Sequence, residues 1–182
     1  MSPPTPCGAL SARALLRRQF ELAHDLLDAA IEGLPTEAIH QRPPGTAAPI
    51  GACYAQVVLC EDLSVNAVLA ASTPLALSTW AGRTGLSELP PLARPADWHV
   101  WARRVRLDLA ALRPYARAVF AATDTYLAAL PNEALDSAHG ERPACLLSAL
   151  LLTLSMRRGE IACLLALERP PTARPAFRYT DR

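Results

Sequence analysis

The run Pro143-Ala-Cys-Leu-Leu-Ser-Ala-Leu-Leu-Leu-Thr153-Leu-Ser-Met-Arg157-Arg-Gly-Glu160-Ile161-Ala-Cys-Leu-Leu-Ala-Leu-Glu168 decides the fold. Its length and richness in Leu and Ala make it a helix. Pro143 stands where a first helical turn tolerates proline, and Arg169-Pro-Pro171 ends the run. The mostly apolar part, Ala144 to Met156, is too short to span a bilayer. A helix this apolar must be covered by partner helices, yet Arg157 and Glu160 stand near the middle of its inner face.

The partners are legible upstream. Leu16, Phe20, Ala23, Leu27, Ile31 and Leu34 recur at the spacing of one helical face, in a helix that begins near Ala9 and stops at Gly33-Leu-Pro35. His24 borders that face and reads as a partly buried histidine bonded to a neighbour, with a pocket-lining residue as the alternative. A second helix is predicted from Ile50 to Ala71, its inner face carrying Ile50, Cys53, Tyr54, Val57, Cys60, Ala67 and Val68. Glu61 and Asp62 are adjacent, so they point in different directions on a helix and form no acid–base pair; they read as a solvated edge. A third helical region runs from Trp98 to Leu130, with a kink or break expected around Leu112-Arg113 because of Pro114. Arg103, Arg106, Arg113 and Arg117 share its outer side, as a solvated face or an anion patch.

Four such helices predict an all-α four-helix bundle over residues 9–168, with a long proline-rich connection at 72–97 acting as a crossover or a lid. Residues 1–8 are expected to be disordered. Residues 169–182 form a Pro/Arg-rich C-terminal tail.

The 182-residue chain has 51% hydrophobic residues and net charge +1, which fits one ordered domain with no global attraction to nucleic acid or an anionic membrane. All 18 basic residues are arginine. The five cysteines form no CxxC pair, and the N-terminus lacks the pattern of a secretory signal, so a cytoplasmic protein is expected.

Leu34-Pro-Thr-Glu-Ala-Ile-His40-Gln-Arg-Pro-Pro-Gly-Thr46-Ala-Ala-Pro-Ile50-Gly51, then Glu61-Asp62 and Asn66, then Tyr115 to Val119 and Thr123 to Leu130, then Arg158-Gly-Glu-Ile161, together resemble the DinB/YfiT-like superfamily. The resemblance implies a four-helix bundle in which three histidines hold zinc or nickel. One lies on the second helix about five residues after Ile-Gly, and two lie four residues apart on the last helix. Imidazoles at i and i+4 stand one above the other and can grip one ion. At the matching positions this chain has Gln56, Thr153 and Arg157. A guanidinium stays protonated and cannot ligate a cation. The resemblance therefore implies a degenerate metal site with no metal cofactor, unless substitute ligands exist. Cys53 and Cys60, about two turns apart, are too far apart to share one ion unaided.

In the metal's place the sequence offers a candidate remnant pocket of Gln56, Glu61, Thr153, Arg157 and Glu160, either inert polar packing or a pocket for a small anionic or thiol ligand. Three functions stay open. One is a bundle binding a small molecule or partner through that pocket, without catalysis. Another is a divergent metal-dependent thiol transferase or isomerase. The third is an interaction module, such as a homodimer.

Overall fold

The computed structural model describes residues 11–43, 45, 47–92, 94–131, 133–136 and 141–168. The expectations for the two termini lie outside these residues. Seven α-helices are described: α1 (Ala12–Ile31), α2 (Thr36–His40), α3 (Ile50–Asp62), α4 (Trp98–Ala102), α5 (Leu109–Ala129), α6 (Glu133–Asp136) and α7 (Glu141–Glu168). Four long helices, α1, α3, α5 and α7, form the bundle; α1 and α3 each pack against both α5 and α7.

Two of the long helices, α1 and α5, start on a side-chain cap. The Ser11 side chain caps α1 by accepting the Ala14 N–H at 3.2 Å. Asp108 does the same for α5 through Ala110 N–H at 2.9 Å. Phe20, His24, Leu27 and Ile31 turn α1's inner face to the core. Nearly all of α3 is buried, Gln56 and Cys60 being the partly exposed residues. Gly51, in the Pro-Ile-Gly signature, lets α2 approach: a Cβ here would lie 3.0 Å from the Ile39 carbonyl oxygen and 2.8 Å from a Leu107 methyl.

Three expectations are corrected. The second helix does reach Leu69, but residues Leu63–Leu69 form a π-helical turn. Its extra residue per turn shifts the register. Val65 and Asn66 turn inward, while Ala67 and Val68, expected on the inner face, turn outward. The second correction concerns the break allowed for at Leu112-Arg113: α5 runs unbroken through exposed Pro114. Proline sits early enough there that the freed carbonyl, on exposed Ala110, faces water. The break in this region falls instead at residues 103–108, between α4 and α5. Third, Glu61 and Asp62 are both 0% exposed and form no solvated edge.

The 72–97 connection is tied down rather than loose. Leu86 pairs with Leu107 in an isolated antiparallel bridge. Trp101 Nε1–H donates to the Glu88 carbonyl at 3.0 Å, and Trp98 Nε1–H to the Pro91 carbonyl at 3.3 Å. Gly85, at φ +75°, lies so close to α5 that a Cβ would meet Leu112 N at 2.5 Å. His40 fastens α2 to the same region: its Nδ1–H donates to the Thr36 carbonyl and its Nε2 accepts Leu107 N–H at 3.0 Å.

Candidate functional site

The polar groups of α3 divide between two sides of the helix. Adjacent positions differ by about 100° in direction, so Glu61 and Asp62 enter different surroundings. Asp62 is a structural anchor. Its two oxygens accept Asn66 Nδ2–H, Leu75 N–H, Ala76 N–H and Tyr115 O–H, each at 2.8 Å. Four donors saturate a carboxylate and hold the start of the long connection against α3 and α5.

Glu61 points toward α1 and α5. His24 Nε2–H donates to both of its oxygens at 3.0 Å, and Thr123 O–H donates to Oε1 at 2.5 Å. One buried carboxyl group thus joins α1, α3 and α5. The His24 ring stacks on Phe120, centroids 3.8 Å apart and planes 10° from parallel. Among the described residues, His24 Nδ1 has no hydrogen-bond partner.

His24 and Phe120 form the floor of a cleft of about 920 Å³ between α1 and α5. Its rim is charged. Arg17 grips Asp124 with two bonds of 2.8 Å, which holds Asp124 below the usual carboxylate range. Arg18 pairs with Glu21 at 2.6 Å. Asp28 accepts the Tyr54 O–H at 2.6 Å. Asp25 and Arg117 are the other charged residues of the lining.

The Gln56, Thr153 and Arg157 positions lie on the other side of α3, toward α7. Arg157 Nη1–H donates to Glu160 Oε2 at 2.6 Å, both side chains about one-third exposed. Cys53 feels both charges: burial, reinforced by Glu160, pushes its thiol up to about 12. Cys60 is also raised by burial, with Arg157 opposing. Gln56 lies between these cysteines on one α3 face, half-buried. Thr153 O–H bonds back to its own helix, to the Ala149 carbonyl at 2.8 Å.

The structure therefore brings Arg157 and Glu160 together, beside the α3 face that carries Gln56. Glu61, grouped with them from sequence, is not part of that cluster, because His24 and Thr123 hold it on the opposite side. The four outer arginines also separate. Arg103 donates to the Gly45 carbonyl and Arg106 is exposed before α5, whereas Arg113 and Arg117 lie on α5 near Tyr54 and Asp28.

The donor set at the three positions does not suit zinc or nickel. It comprises a guanidinium already paired with a carboxylate, a hydroxyl bonded within its helix and an amide. Among the described residues no group of three His, Cys, Asp or Glu side chains could hold a metal ion. Cys53 and Cys60 are raised away from the thiolate form that metals bind.

Sequence reasoning missed Thr123, Phe120 and Asp124, which are 62 or more residues from their α3 or α1 partners except through the fold. The one available signal was His24 at the edge of an apolar face.

These features define an all-α bundle with a helix-spanning polar buried triad and a signature loop packed on its second long helix. The DinB superfamily family model (DinB_2) matches residues 19–155, and the chain belongs to the DinB superfamily. No curated protein matches the chain. The helical run Ile50–Leu69 is apolar enough by composition to cross a membrane, but 56% of it is buried inside the bundle, as a core helix is.

Proposed function

We propose that this DinB-superfamily bundle binds a small organic molecule without a metal ion, in the cleft between α1 and α5. The observation that carries this reading is His24 on the cleft floor, tied through Nε2 to fully buried Glu61. That bond fixes the imidazole's orientation and leaves Nδ1 for a ligand. Phe120 offers an aromatic surface beside it, and the charged rim supplies partners of both signs. A ligand with an aromatic body and one polar group matches this lining.

The reading is of binding rather than catalysis. The lining includes no serine, cysteine or lysine to act as a nucleophile beside His24. A small anion or thiol at Arg157 would have to displace Glu160, which already neutralises it. A metal-dependent thiol transferase would need ligands that Gln56, Thr153 and Arg157 do not supply.

The test is a titration of the His24 ring signals by NMR with a panel of aromatic amines and aromatic carboxylates, benzylamine and benzoate among them. Binders are expected to shift His24 and to lose affinity in Phe120→Ala. Binders that leave His24 unmoved and act only around Arg157 would overturn the assignment.

A further inference from the structure

The outer face of α7 is left uncovered by the other described helices. Cys145, Ala149, Leu152, Met156, Gly159, Cys163 and Leu167 all lie exposed on it. Leu152, Met156 and Leu167 are 62%, 66% and 73% exposed. Steps of four, three, four, three, four and four residues place them in one seam along the helix, the spacing that brings one helix against another. The seam carries no charged residue.

Gly159 gives an independent indication. A mid-helix glycine costs about 1 kcal/mol relative to alanine. Nothing lies within 4 Å of the place its Cβ would occupy, so the packing of the bundle itself does not require it. Sizes along the seam are also self-complementary. Reversed about Met156, Leu167 falls opposite Cys145, Cys163 falls opposite Ala149, and Leu152 falls one residue from the gap at Gly159. Away from Met156, which meets its own copy on the axis, each larger side chain meets or adjoins a smaller one.

We propose that this face of α7 pairs with the same face of a second copy of the chain, antiparallel, about a two-fold axis at Met156. A two-fold contact needs one self-complementary patch, which the seam provides. From Cys145 to Leu167 it is roughly 33 Å long at the α-helical rise. Two strips of that length and about one helix width cover on the order of 800 Å², in the range of transient pairs. The dimer is therefore concentration-dependent rather than obligate.

The test uses the full chain with Ala149→Cys, and with Cys7 and Cys145 replaced by serine, oxidised with diamide. A disulfide-linked dimer is expected through the new thiol and Cys163, and it disappears when Cys163→Ser is added. Sedimentation velocity of the unmodified chain should show dimer growing with concentration, and Leu152→Glu should weaken association about tenfold or more. Circular dichroism verifies that this exposed substitution leaves the helices intact. A single monomeric species at every concentration, without cross-linking, overturns the proposal. So does a Cys145–Cys145 cross-link in the unmodified chain, which requires a parallel pair. A dimer unaffected by Leu152→Glu places the contact elsewhere and overturns it too.

Discussion

His24 Nε2 lies 3.0 Å from both carboxyl oxygens of Glu61, a bond that crosses the core from α1 to α3 with Thr123 of α5 closing it. Glu61 is 0% exposed, so removing His24 leaves this buried carboxyl group short of a partner, with only Thr123 still bonded to it. His24→Leu should destabilise by about 3–5 kcal/mol, measured by urea denaturation. The triple variant His24→Leu, Glu61→Leu, Thr123→Val should recover most of that loss, because all three polar groups leave together. No recovery would mean that the triad contributes more than mutual satisfaction.

Asp62 should matter as much, through a different element. Its carboxylate holds the amides of Leu75 and Ala76 and the Tyr115 hydroxyl. Asp62→Ala should cost at least about 3 kcal/mol, since bonds to a charged acceptor contribute about 1.5–3 kcal/mol each. Hydrogen exchange should report faster exchange at Leu75 and Ala76, with the inner turns of α7 still protected.

Alkaline pH should unfold the bundle early. Burial pushes the Cys53 thiol from 9.0 up to about 12. Tyr54 and Tyr115 are raised as well, by burial first, then by Asp28 and Asp62 respectively. In each case the folded state keeps a proton that the unfolded chain releases. Above pH 9 the unfolded state therefore binds fewer protons, and stability falls with rising pH. The Cys53 contribution is complete below pH 9 and is lost toward pH 12, and the tyrosine contributions begin to be lost above pH 10. Urea midpoints measured from pH 8 to 11 should decline, and less steeply in Tyr54→Phe with Tyr115→Phe.

The four long helices were legible because each carries either a three-and-four apolar spacing or clear proline stops, as α1 does between Ser11 and Pro35. The polar interior was not. Because α3 is buried nearly all round, no polar face betrays where Glu61 points, and adjacent carboxylates on an apolar helix look like an edge. Thr123 becomes Glu61's partner only through packing of α5 on α3. The π-helical turn at Leu63–Leu69 rotates Asn66 inward, and nothing in the local sequence announces that extra residue.

Arg157 should contribute little to folding. Its pair with Glu160 is an i, i+3 contact, both side chains about one-third exposed, and such pairs contribute about 0.2–1 kcal/mol. Arg157→Met should shift stability by no more than about 1 kcal/mol in either direction. Restoring imidazoles with Gln56→His, Thr153→His and Arg157→His should create zinc or nickel affinity by calorimetry, provided the three positions converge. A triple variant that binds no metal would show that they do not.

The central claim, binding without a metal, is tested most directly by elemental mass spectrometry of the untagged full chain after dialysis. The account predicts zinc and nickel far below one ion per chain. One ion of either metal retained per chain would contradict it.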